Sequence, residues 1–153
     1  ADANGGDVTG NHGAKDYWIV KLDATGNLVW QKSLGGSGDD VPYSIQQTND
    51  DGYIVTGYTE SNDGDVTGNH GMKDIWVVKM DVAGNIIWQK TFGGSGDDAS
   101  FSIQQTNDGG YIVGGYCDSN DTNILVPSGF LIFKLDTFRR FQYKNQSILL
   151  HQN

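Results

Sequence analysis

Apolar residues in this chain fall in short runs rich in β-branched and aromatic side chains, separated by clusters of Gly, Asn and Asp. That pattern predicts strands joined by turns, and the clearest set covers residues 43–48, 53–59, 75–81 and 86–92. Within several runs the apolar positions are consecutive, as in Tyr53-Ile54-Val55, Ile75-Trp76-Val77-Val78, Ile86-Ile87-Trp88 and Phe130-Leu131-Ile132-Phe133. A sheet with one wet face would alternate, so both faces of these small sheets are expected to be covered. With no helical period anywhere, only another sheet can do the covering.

The connections alternate in length. Asn49-Asp50-Asp51-Gly52 and Ala83-Gly84-Asn85 are hairpin-sized and hold residues that accept positive φ, whereas 60–74 and 93–99 form longer loops. The whole pattern then recurs. Residues 4–61 align with 62–119 without a gap, about 40 of the 58 positions are identical, and a degraded third copy follows from Asn120. Self-similarity on this scale marks a solenoid, propeller or array. A radial stack of four-stranded antiparallel blades, each shielded by its neighbours, satisfies the two-sided apolar strands. A β-solenoid is the competing architecture, but its coils are shorter and need no pair of hairpins in every period.

Particular motifs carry a resemblance. The run Gly109-Gly110-Tyr111-Ile112-Val113-Gly114-Gly115-Tyr116, with Ile75-Trp76-Val77-Val78 in the preceding copy, resembles the kelch blade. The segments from Asp23 to Trp30 and from Asp81 to Trp88 resemble the Trp-docking turn of quinoprotein-type propellers, one residue shorter before the Gly. As a whole the unit is similar to the long repeats of bacterial secreted and cell-surface β-propeller proteins, in which GGSGDD, SIQQT, DGGYIV and DVTGNHG recur; the similarity spans residues 4 to about 136. It implies that SIQQT is the innermost strand and that the outermost carries Trp30 or Trp88. On that order, residues 1–41 hold the outer two strands of a first blade, 42–98 a complete blade, and 99–153 a second, degenerate one. Ser147-Ile-Leu-Leu-His-Gln-Asn153 resembles Ser102-Ile-Gln-Gln-Thr-Asn107 and reads as the start of a third. About two and a half blades cannot close a ring of 4 to 8, so the missing blades are expected from a longer chain or from other chains.

Composition narrows the partners. Gly supplies 22 of 153 residues and Pro only 2, which suits many tight turns. A formal charge of −9 argues against a nucleic-acid partner, since no Lys/Arg stripe exists to release counterions. No apolar run is long enough to cross a bilayer, so membrane insertion is not expected. Ala1 falls within a loop, and a leader upstream remains compatible with an extracellular or cell-surface location. Cys117, the sole cysteine, occupies the position of Thr59 in the first copy, so it reads as a small strand residue rather than a redox site.

The two long loops emerge on the same face of a propeller and carry Asp39, Asp40, Asp97, Asp98, Asp63, Asp65, His12 and His70. Ligand sites concentrate where loops converge on a rigid scaffold, so this acidic, Gly-rich rim is the candidate binding surface. Asp63 and Asp65 supply closely spaced oxygens of the kind Ca²⁺ prefers, against which stands the reading of Asx-turns. GGSGDD lacks the Lys-Ser/Thr and the helix of a phosphate loop. The Asp pairs are suited to acid and base work, but their duplication favours turn capping, because an active site is assembled once from differing residues. His12 and His70 have no second His or Cys at a metal spacing, and a pH-dependent binding role competes with that of plain loop histidines. Trp18, Trp30, Trp76 and Trp88 recur with the fold and are expected to pack between blades; Trp88→Ala would then cost about 3 to 5 kcal/mol.

Three functional classes follow. The first is a non-enzymatic extracellular or cell-surface module for protein or glycan interaction without a cofactor. The others are the wall of a propeller enzyme, quinoprotein-like or glycan-active, and a structural spacer stiffened by Ca²⁺.

Overall fold

The computed structural model describes residues 7–119, 121, 128–137 and 141–142. Among these, ten strands form in chain order: β1 (Tyr17–Leu22), β2 (Leu28–Leu34), β3 (Asp40–Gln47), β4 (Tyr53–Thr59), β5 (Asp74–Met80), β6 (Ile86–Phe92), β7 (Asp98–Gln105), β8 (Tyr111–Cys117), β9 (Gly129–Leu135) and β10 (Phe141–Gln142). They make three antiparallel sheets in which sequence neighbours pair: β1-β2, β3-β4-β5-β6 and β7-β8-β9-β10. The chain is therefore all-β and built of propeller-type blades, two of them four-stranded, arranged as an open array. The expected start of a third blade at 147–153 lies outside the described residues.

Turn chemistry sets the strand ends. Asp81 stops β5 because its carboxylate accepts backbone N–H groups that would otherwise be left open by the turn. Ala83 N–H reaches it at 2.9 Å and Asn85 N–H at 2.8 Å. Gly84, between them, takes a positive φ of 79°. The Thr48–Gly52 turn also needs one residue in the left-handed region, which short polar side chains tolerate best after glycine. Asp51 supplies it with a φ of 63°, where the next copy places Gly109. β3 begins at Asp40, three residues before its apolar run, because Asp40 pairs with Thr59 and a bulge between Pro42 and Ser44 absorbs the proline's missing N–H. β7 repeats the bulge between Ser100 and Ser102.

Two cores lie between the sheets. Tyr17, Ile19 and Leu34 of the first blade pack on Val55, Trp76, Val78 and Met80 of the second. Ile54, Ile75, Val77 and Phe92 from the opposite face of that second blade pack on Val113, Leu131, Phe133 and Leu135 of the third. β5 is buried at every position, which is why its apolar residues are consecutive. Inner strands are tied across the second gap by hydroxyls, with Thr56 bonded to Ser100 and Ser100 donating to the Gly57 carbonyl at 3.0 Å.

Trp30 docks the first blade onto the turn of the second. Its indole N–H donates to the Val82 carbonyl at 3.1 Å, its ring meets Tyr53 edge-on at 5.6 Å, and a Cβ on Gly84 would lie 3.1 Å from the ring. Gly26, the equivalent residue in the first blade, has φ +87° but nothing within 4 Å of such a Cβ. Both glycines resist alanine by about 1–2 kcal/mol through backbone strain alone. Gly84→Ala is expected to cost roughly 1–3 kcal/mol more than Gly26→Ala through overpacking, read as a difference in thermal denaturation. Equal losses would mean that Trp30 does not seat on this turn.

Candidate functional site

Hydrogen bonding turns much of the acidic rim inward. In the β2–β3 loop the GG-S-G segment presents a series of backbone N–H groups, and acidic or hydroxyl side chains accept them. Asp40 accepts Gly36 N–H at 2.8 Å, Ser37 N–H goes to Asp63 at 2.7 Å, Gly38 N–H to Ser61 Oγ at 2.9 Å and Gly35 N–H to Asp65 at 3.2 Å. Asp40 also accepts the hydroxyls of Thr59 and of Ser61, the latter at 2.8 Å. One repeat later Asp98 accepts Gly94 N–H at 2.9 Å and Ser119 Oγ at 2.6 Å, while Gly96 N–H goes to Ser119 Oγ and Ser95 N–H to Asp121. No side chain larger than hydrogen fits at Gly36, where a Cβ would meet Asp63 at 2.3 Å.

Asp40 and Asp98 are fully buried. Adjacent residues in an extended chain point to opposite sides, so Asp39-Asp40 and Asp97-Asp98 do not stand as carboxylate pairs open to a ligand. Burial pushes the Asp40 carboxyl above its ordinary value. The outer partners, Asp39 and Asp97, face the loop surface and pair with Lys15 and Lys73 respectively, the second at 3.9 Å. A backbone bond accompanies each pair: Asp40 N–H donates to the Lys15 carbonyl and Asp98 N–H to that of Lys73, both at 2.7 Å. Each thus links the lead-in of one blade to the innermost strand of the next.

His12 and His70 are each held by a buried carboxylate four residues on. Asp16 Oδ2 accepts His12 N–H at 2.8 Å and lies 3.1 Å from Nδ1; for Asp74 and His70 the distances are 3.0 and 2.8 Å. Because a carboxylate oxygen only accepts, Nδ1 is the donor, which in the neutral ring leaves the lone pair on Nε2. Burial raises Asp74 above its ordinary value. The rings stay 48 % and 39 % exposed at the loop surface. With Lys15 and Lys73 they form a His-Lys-Asp set that recurs from blade to blade.

One oxygen of each of Asp63 and Asp65 is engaged by the backbone of the facing loop, and the Ser37 N–H holds Asp63 below the ordinary carboxylate range. Among the described residues no group of three or more His, Cys, Asp or Glu is placed to hold a metal. Cys117 is buried, and burial beside Asp98 pushes its thiol up to about 12. Such a thiol stays protonated at neutral pH and is a poor nucleophile.

The tryptophans divide by position. Trp76 is fully buried against Tyr17, with ring centroids 4.6 Å apart. Trp30 and Trp88 are half-buried against Tyr53 and Tyr111 of the following blade. Trp88→Ala therefore falls below the full-burial figure, at about 1–3 kcal/mol. Trp18 is 37 % exposed although it makes the same indole bond, to Gln31 at 2.9 Å, that Trp76 makes to Gln89. The residues that sequence reasoning misses are the hydroxyl carriers Thr59, Ser61 and Ser119. Ser61 and Ser119 recur one full repeat apart, and that recurrence next to a strand end is the available signal.

No protein-family model matches the chain, and no curated protein matches it.

Proposed function

We propose that the chain is a non-enzymatic blade module of a secreted or cell-surface β-propeller, of the kelch-like kind that its motifs resemble, and that it engages a protein or glycan through its loop face. The observation that supports this reading is the recurrence of His12, Lys15 and Asp39 as His70, Lys73 and Asp97 on one face of successive blades. A catalytic centre needs different groups brought together once, whereas identical groups set out at regular spacing suit several weak contacts made together. The buried carboxylates serve that role by fixing the loops from which these side chains project. The polar, mixed-charge character of the set suits hydroxyl-rich or charged ligands better than apolar ones.

The test is a screen of immobilised, multivalent glycans and matrix proteins against the chain displayed at high valency. Binding is expected. Removing one of the two sets with the double variant His70→Ala, Lys73→Ala should weaken it by far more than half, because contacts made together multiply rather than add. Uniformly negative screens at high valency would reduce the role to a structural one.

A further inference from the structure

The repeat allows each sheet face to be compared with its equivalent in a neighbouring blade, and two faces stand out. On the first blade, Trp18, Val20 and Leu22 correspond to Trp76, Val78 and Met80 of the second, which are buried by the preceding blade. Here they are 37, 38 and 55 % exposed. On the last blade, Ile112, Phe130 and Ile132 correspond to Ile54, Ile75 and Val77, all fully buried, yet they are 40, 96 and 67 % exposed. Isolated apolar residues on a surface need no explanation, but two contiguous sets of this kind mark interaction faces.

The two faces are opposite halves of one interface that the chain already contains. In the first gap, Tyr17 of β1 packs against Trp76 of β5 with its ring tilted at 56°. In the second, Ile75 of β5 packs in the same core as Leu131 of β9. Position for position, Phe130 stands where Tyr17 and Ile75 stand, and Trp18 where Trp76 and Leu131 stand. A hollow of about 280 Å³ on the Trp18 face is lined by Trp18, Val20, Leu22, Gly26 and Leu28. It opens over Gly26, whose equivalent Gly84 is covered by Trp30.

We propose that the occupant of both faces is a second copy of this chain, joined head to tail, with Phe130 of each copy seated on Trp18 of the other. Among the described residues three sheets form, one of them two-stranded, so a pair of copies holds six, within the range of 4 to 8 that closes a propeller. The contact is heterologous, so two copies of it complete a ring with twofold symmetry and cover both the Trp18 and the Phe130 faces. The inference is independent of the ligand proposed above. In register, Gln142 pairs with Lys134 where Trp88 pairs with Lys79, so the joint lacks the docking tryptophan and is weaker than either internal gap.

Sedimentation of the full chain should give a species of about twice 16.6 kDa that dissociates on dilution. Val20→Glu and Phe130→Glu, each at an exposed position, should both be monomeric, with a retained melting transition confirming that they fold. Mixed together, the two variants should form an open pair, because each supplies the intact face the other lacks. A wild-type chain that is monomeric at every concentration overturns the proposal. So does a dimer that survives either substitution, which would signal like-to-like pairing, unlimited growth in place of a pair, or the failure of mixing to restore association.

Discussion

Replacing Trp76 by alanine should cost about 3–5 kcal/mol, as expected when a fully buried aromatic residue is truncated in a core that cannot collapse around the void. Trp76 lies in the gap between the first two blades, flanked by Val55, Val78 and Met80 and capped by the Tyr17 ring. The truncation also removes the indole N–H that Gln89 accepts at 2.9 Å. For a chain of this length the loss corresponds to a drop of roughly 10 °C in melting temperature. Trp18→Ala, at the same repeat position but on the open face, should cost far less in the isolated chain. Equal losses would show that burial between blades is not what these tryptophans supply.

Asp40→Ala should cost a similar amount, about 3–5 kcal/mol, by a different route. It removes the acceptor of Gly36 N–H and of the Thr59 and Ser61 hydroxyls in a site shut off from water. Each orphaned buried donor costs about 1–3 kcal/mol. Asp39→Ala, one residue away, removes only a half-exposed pair with Lys15 and should change stability by no more than about 1 kcal/mol. The pH dependence has a definite sign. Burial raises Asp40 in the folded chain, so the folded state binds its proton more tightly than the unfolded state. The native contribution of Asp40 is therefore complete in acid and falls as pH rises above the ordinary value of 3.8. The penalty of Asp40→Ala should accordingly be larger in acid than at neutrality. Parallel denaturation series at the two pH values test this, and a penalty that vanishes in acid would contradict it.

β4, which starts after Gly52, and β6, which lies between Asn85 and Gly93, are legible with correct limits, because the turn residues that bound them are chemically distinct. β3 reads three residues short in the sequence, since a buried carboxylate followed by a bulged proline looks like loop. The acidic rim is legible as one surface, but sequence alone treats neighbouring carboxylates alike. The alternation of an extended backbone decides which of Asp39 and Asp40 points inward, and only the partners Thr59 and Ser61, far along the chain, reveal that the inner one is satisfied. Trp18 and Trp76 are indistinguishable as residues. Their difference comes entirely from whether a sheet stands on the far side.

The link from Lys15 to Asp40, repeated from Lys73 to Asp98, falls inside one sequence period but joins two blades, which puts the period out of phase with the blades. A length of chain cut between β2 and β3, at the blade boundary, would keep its strands but leave the Asp40 cradle half built, for its loop leads out of one blade and its acceptors belong to the next. Cohesion accordingly passes from neighbour to neighbour along the array, and the smallest piece able to stand alone is a pair of adjacent blades rather than one.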